Sequence, residues 1–276
     1  MISIRNRSGL ELYVKDWGSG RPLVLIHGWP LSADSWDDVA LPLANAGFRT
    51  IAYDRRGFGR SSQPWDGYNY DTLSDDLADV LSTLQLSDVT LIGFSMGGGE
   101  VARFLTRHGK DRVRSVALVS SVVPYMLKTE SNPDGVPQES FDQMGQGLIE
   151  DRAHFFGKFF KDFYGVTGLS RPVSNEWLAW THSMAMQAGL NATLECAKAF
   201  ATTDFRPDLK SFNLPTLIVH GTHDKTVPID ATARPAKKAI YGSKLIEYEG
   251  APHGIFASHR KQLIDDLLDF CRSNPL

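Results

Sequence analysis

Six short, nearly unbroken apolar runs, at 23–26, 50–53, 89–93, 113–119, 217–220 and 244–248, constrain this chain more than any other feature. A strand with one face in water alternates apolar and polar residues. A continuous run suits a strand covered on both faces, as in a parallel sheet flanked by helices. The stretches 36–46, 70–84, 96–108, 231–240 and 261–271 have helical spacing instead. In the last of them Leu263, Ile264, Leu267, Leu268 and Cys271 share one face, with Lys261, Asp265 and Asp266 outside it. Alternating strands and helices predict an α/β fold. At the N-terminal end Leu10, Leu12 and Val14 alternate with Glu11, Tyr13 and Lys15, the period of a half-buried strand in an opening antiparallel hairpin.

The alternation stops between Pro124 and about Asn213, where no buried strand is evident and aromatics abound: Phe155, Phe156, Phe159, Phe160, Phe163, Tyr164, Trp177 and Trp180. Turn chemistry marks both ends of this stretch, Ser131-Asn132-Pro133-Asp134-Gly135-Val136-Pro137 at the entry and Phe205-Arg206-Pro207 with Leu214-Pro215 at the exit. The expected organisation is a core of residues 1–123 and 212–276, split by a helical cap at 124–211. Neither an internal repeat nor a low-complexity tract is evident.

Composition narrows the partners. In 276 residues, 29 Lys and Arg against 32 Asp and Glu give a net charge of −3, with no strong single-sign run. This argues against nucleic acid and anionic membrane as partners. No apolar stretch approaches the roughly 18 residues of a spanning helix, and Arg5, Arg7 and Glu11 fall where a signal peptide is apolar, so a cytoplasmic protein is expected. Cys196 and Cys271 are too few for a disulfide framework or a Cys-based zinc site and read as buried thiols.

The strongest chemical signal is Gly93-Phe94-Ser95-Met96-Gly97, a G-x-S-x-G between an apolar run and a helical stretch. A serine on so sharp a turn needs neighbours without Cβ atoms, so that the helix packs against the incoming strand. Ser95 then stands at a helix N-terminus, where the dipole favours developing negative charge. A serine hydroxyl is a weak nucleophile at neutral pH and needs a base, and the base needs a group that fixes its tautomer. Asp224, on a loop after the 217–220 run, is the candidate orienting acid, although a turn cap is its plainer role. His253, in Gly250-Ala251-Pro252-His253-Gly254, is the candidate base, its small or rigid neighbours leaving the imidazole to project freely, although a solvated loop histidine is its plainer role. If it is the base, activity falls below about pH 6, where an imidazole takes up a proton.

Other features read as structural. His220 and His223 have metal-like spacing but no accompanying ligand cluster, so no metal is expected. Gly57-Phe58-Gly59 lacks the third glycine of a dinucleotide loop and reads as a tight turn. His27 reads as a packing and hydrogen-bonding residue.

Taken together, these motifs resemble the α/β-hydrolases and, among them, the cofactor-free haloperoxidases, also described as aryl esterases and perhydrolases. The resemblance runs from Trp17-Gly18-Ser19-Gly20 almost to the C-terminus. It rests on His27-Gly28-Trp29-Pro30-Leu31, on Tyr53-Asp54-Arg55-Arg56-Gly57-Phe58-Gly59-Arg60-Ser61 and on Gly93-Phe94-Ser95-Met96-Gly97-Gly98-Gly99. Ala201-Thr202-Thr203-Asp204-Phe205-Arg206 and Ala251-Pro252-His253-Gly254 complete it. It implies a mostly parallel twisted sheet flanked by helices with an inserted cap, no cofactor, and oxyanion donors at the backbone N–H groups of Trp29 and Met96. It also implies an ester substrate, an acyl-enzyme on Ser95, and release by water or by hydrogen peroxide; the peracid from peroxide oxidises halide without metal. Relatives often assemble as trimers or hexamers.

In the same resemblance the Trp-Pro pair goes with perhydrolysis. Pro30 fixes its φ and lacks an N–H, which would move the Trp29 carbonyl toward the nucleophile's approach path; a rigid turn is its plainer role. Phe159, Phe163 and Phe200 match an aromatic acyl pocket, while Met126 and Ile229 replace phenylalanines there. Epoxide hydrolases share the His-Gly-Trp-Pro loop but use an aspartate nucleophile, so Ser95 argues against them. Lactamase or lactonase action is a nearby alternative, and a non-catalytic receptor for a small ligand, or a protein with an idle site, is compatible with the same fold.

Overall fold

The computed structural model describes residues 2–274; Met1, Pro275 and Leu276, at the ends of the expected core, lie outside the described residues. The chain opens with β1 (Ile2–Arg5) and β2 (Glu11–Gly18), the antiparallel hairpin expected from the alternation at 10–15. Strands β3 (Arg21–Ile26) and β4 (Phe48–Tyr53) follow, with α1 (Asp37–Asn45) between them. Then come α2 (Tyr70–Thr83), β5 (Val89–Phe94), α3 (Met96–His108) and β6 (Val113–Val119). After three helices, α4 (Gln138–Phe163), α5 (Asn175–Met186) and α6 (Leu190–Thr202), the alternation resumes with β7 (Thr216–Gly221), α7 (Ala233–Ala239) and β8 (Lys244–Tyr248). A short α8 (Ile255–Ser258) and α9 (Arg260–Ser273) close the chain.

The eight strands form one sheet in the order β1-β2-β4-β3-β5-β6-β7-β8. β2 pairs antiparallel with both β1 and β4, and every other pairing is parallel. The apolar runs of β3, β5 and β7 are buried or nearly so along their length because helices cover both faces. β8 departs from that expectation: Lys244 and Glu247 are exposed, as suits an edge strand with a neighbour on one side only. Asp266 also departs, since the outer side of α9 at this point leans on β8 and the carboxylate accepts a 2.6 Å hydrogen bond from the Tyr248 hydroxyl.

From β3 the chain passes to β4 on one side and then returns to β5 on the other. The strand order reverses there, and such a reversal opens a crevice at the carboxyl ends of the two strands. The loop after β3 and the turn after β5 meet in it.

Candidate active site

Ser95 links β5 to α3 with φ 52° and ψ −119°, a conformation costly for any residue bearing a Cβ. The neighbouring glycines make it attainable: a Cβ on Gly93 would lie 2.6 Å from the Gly97 carbonyl oxygen, and one on Gly97 2.5 Å from that of Ile26. The turn is held by the Ser95 N–H donating to the Val119 carbonyl at 2.9 Å. The first turn of α3 carries no acidic residue to offset the positive end of the helix dipole beside Ser95.

His253 and Asp224 arrive on the loops after β8 and β7. His253 Nε2 lies 2.9 Å from Ser95 Oγ, and Nδ1 lies 2.6 Å from Asp224 Oδ2. With Nδ1–H donating to the carboxylate, Nε2 is the acceptor for the serine hydroxyl. The imidazole does not project freely. It is 1% exposed, with the Phe163 and Phe94 rings at 4.7 and 5.0 Å, and Gly254 lacks a Cβ because the Tyr164 and Phe163 rings occupy that space.

Asp224 makes the contacts of a turn cap and also faces His253. Its Oδ1 caps the turn, accepting from the N–H groups of Thr226 at 2.9 Å and Val227 at 2.7 Å, while Oδ2 faces His253. Burial would raise its pKa, but the charge and hydrogen bonds of His253 and His220 outweigh that and bring it down to about 2. His220 is therefore closer to the site than its sequence position suggested. Its Nε2 lies 2.9 Å from the Val227 carbonyl and 3.2 Å from Asp224 Oδ2. His223 is exposed on the same loop.

Behind Ser95, a Cβ on Gly28 would lie 2.9 Å from the Ser95 Cβ, so the loop after β3 runs directly against the serine. Among the described residues, neither the Trp29 nor the Met96 N–H donates to a protein carbonyl. The Trp29 indole donates to the Thr193 carbonyl at 2.9 Å, which ties the loop to α6. His27 is buried and neutral: Nδ1–H donates to the Gly28 carbonyl at 2.9 Å, Nε2 accepts from the Arg55 N–H at 3.0 Å, and burial holds its pKa well below the usual range.

A cavity of about 570 Å³ opens over Ser95, lined by Trp29, Phe155, Phe159 and Phe200 with Val122, Val136 and Val227. Phe159 and Phe200 thus stand where the aromatic pocket was expected, at 5.5 and 5.6 Å from the Trp29 ring. Phe163, Met126, Ile229 and Pro30 are not among the lining residues. Phe163 is fully buried behind His253, and the other three are buried in the packing around the site. Sequence reasoning missed Lys158, Asp162, Lys225 and Thr226, which also line the cavity. The first two had a signal, since Phe155, Lys158, Phe159 and Asp162 form one stripe of α4, while Phe156, Phe160 and Phe163 face the core.

Among the described residues no three His, Cys, Asp or Glu side chains come together as a metal site. Nor is any helix there long and apolar enough to cross a membrane.

A serine, histidine and aspartate in one hydrogen-bonded line at the switch point of a mostly parallel sheet define a class of hydrolase. The family described as alpha/beta hydrolase fold matches residues 21–259, and the chain belongs to it. Within that family the chain is 46% identical to a non-heme chloroperoxidase of Kitasatospora aureofaciens, over 96% of this chain and 97% of the relative. It is 39% identical to a bifunctional esterase/perhydrolase of Acinetobacter calcoaceticus, covering 98% and 99% of the two chains. The crystal structure of a bromoperoxidase from Bacillus anthracis superposes with a TM-score of 0.93 at 44% identity, covering 96% and 97%.

Proposed function

We propose that this protein is a serine carboxylesterase for aryl and short-chain esters that also performs perhydrolysis. The observation that carries the reading is the continuous hydrogen-bonded line from Ser95 Oγ through His253 to Asp224 at the floor of an aromatic cavity. His253 Nε2 takes the hydroxyl proton as Ser95 Oγ bonds to the ester carbonyl carbon, and Asp224 stabilises the imidazolium. The Trp29 and Met96 N–H groups receive the oxyanion, each such donor contributing on the order of 10²–10³ in rate. Collapse breaks the ester C–O bond, and the alcohol leaves with the proton from His253.

Water, deprotonated by His253, attacks the acyl-enzyme and returns Ser95 with release of the carboxylic acid. Hydrogen peroxide in the same position gives the peracid. A peracid, bromide and a proton give hypobromous acid and the carboxylic acid, so halide oxidation needs no redox group on the protein. The reacting partners are small molecules: an ester or carboxylic acid with water or peroxide. The segment 124–211 acts as the cap, with Phe141 and Phe159 of α4 and Phe200 of α6 enclosing the acyl group.

The test compares wild type and Ser95→Ala on p-nitrophenyl esters from acetate to octanoate, and adds acetate, peroxide, bromide and a brominatable dye to the wild type. Ester turnover that vanishes with Ser95, together with dye bromination by the wild type, is the expected result. Turnover that survives in Ser95→Ala overturns the reading, and wild-type turnover without bromination removes its perhydrolase part.

A further inference from the structure

The two N–H groups assigned to the oxyanion come from separate parts of the chain, Trp29 from the loop after β3 and Met96 from the start of α3. Their separation is set by whatever joins those parts. Arg55, just beyond β4, touches both. Its Nε donates to Glu100 Oε2 at 2.8 Å, one turn along α3 from Met96, and its Nη2 donates to the His27 carbonyl at 2.7 Å, two residues before Trp29. The Arg55 backbone N–H meets His27 Nε2 at 3.0 Å, so loop and arginine are joined twice. The second Glu100 oxygen accepts from the Tyr53 hydroxyl at the end of β4. From the other side the Tyr70 hydroxyl donates to the Met96 carbonyl at 3.2 Å.

The pair is sealed from water, with the Arg55 and Glu100 side chains 1% and 0% exposed. Burial of two charges costs more than their attraction returns in many proteins, so fold stability alone is a poor explanation for the pair. Its geometry offers a better one. A planar guanidinium presents donors in two fixed directions, and here one direction leads to the helix and the other to the loop. A lysine, with one nitrogen, does not reproduce both.

We infer that Arg55, held by Glu100, is a positioning residue that sets the spacing of the Trp29 and Met96 oxyanion donors. It touches neither substrate nor the reacting atoms. This inference rests on the esterase reading above. Loosening the joint affects the tetrahedral state, which needs both donors at once, more than the bound planar ester, so the expected defect lies in kcat and not in KM.

The experiment uses Arg55→Lys, which leaves Glu100 with a cation, and Arg55→Met/Glu100→Gln, which removes both charges together. Each is measured by thermal unfolding, kcat and KM for p-nitrophenyl acetate, and inhibition by phenethyl trifluoromethyl ketone, whose serine adduct mimics the tetrahedral intermediate. Inhibition by planar phenylacetate is the control. The expected result in folded protein is a kcat lower by about tenfold to a hundredfold, a ketone affinity weakened by a similar factor, and KM and phenylacetate inhibition within about twofold. Glu100→Gln, which keeps the shape and one acceptor, falls between these and wild type. Folded variants with wild-type kcat and ketone affinity overturn the inference. So does a loss that merely tracks the folded fraction, or one that affects phenylacetate as much as the ketone. Ester turnover surviving in Ser95→Ala would overturn the esterase reading itself, whereas a dead Ser95→Ala beside an unaffected Arg55→Lys would overturn only the role of Arg55.

Discussion

A Cβ on Gly97 would stand 2.5 Å from the carbonyl oxygen of Ile26, so α3 and the strand leading into Trp29 meet backbone to backbone. Gly97→Ala must push the two apart. The expected costs are roughly 1–3 kcal/mol of stability from overpacking and a kcat at least about tenfold lower, because the oxyanion donors separate. Thermal unfolding and steady-state kinetics read the two effects independently.

Asp224 supplies a pH signature. Its folded-state pKa of about 2 lies below the ordinary 3.8, so the ionised carboxylate stabilises the fold above about pH 4 and that contribution is lost as pH falls toward 2. The shift corresponds to roughly 2 kcal/mol. Denaturant melts of wild type between pH 5 and about 2 are expected to show this loss, and Asp224→Asn to lack it in the same window. The variant is also expected to lose about 10³–10⁴ in kcat, because the imidazole tautomer is no longer fixed.

The cavity wall makes a prediction for substrate choice. Phe200 and Phe159 flank the Trp29 ring, and shortening either to alanine widens the space over Ser95. Loss of ring contact is expected to lower kcat/KM for short acyl esters by about tenfold or more, with bulkier acyl esters losing less. A chain-length series on each variant checks this, and a uniform loss across the series would contradict it.

Much of this site is legible in the residues. Ser95 stands out because its glycines are required sterically, and Asp224 and His253 because each follows an apolar run on a loop, in the order that hydrolases of this fold use. The strands of the sheet centre are legible for a related reason, since burial on both faces leaves unbroken apolar runs. The cavity wall is harder to read. Phe159 and Phe163 lie one helical turn apart in a stretch dense with aromatics, yet one lines the cavity and the other is buried behind His253. Which face of the helix meets the core decides between them: Phe159 shares the stripe of Phe155 and Asp162, and Phe163 that of Phe156 and Phe160, in the segment that begins after Asp151 (φ −155°, ψ 87°) breaks α4. The short α8 was missed because a single turn has too few residues to show a period.

Pro30 bears on the partition between water and peroxide. It lies buried directly after Trp29, and Leu at this position restores an N–H and frees φ. Pro30→Leu is expected to lower the ratio of peracid formation to ester hydrolysis by about threefold or more, with hydrolysis itself less affected. Equal losses in the two assays would contradict a role for Pro30 in peroxide chemistry.

An acyl group carried on Ser95 is detected by the intact mass of the protein acid-quenched during turnover of p-nitrophenyl butyrate. A mass gain of one butyryl group, located by peptide mapping to the segment containing Ser95 and missing in Ser95→Ala, is the predicted result. An adduct that maps to a different residue, or one that persists in Ser95→Ala, would contradict it.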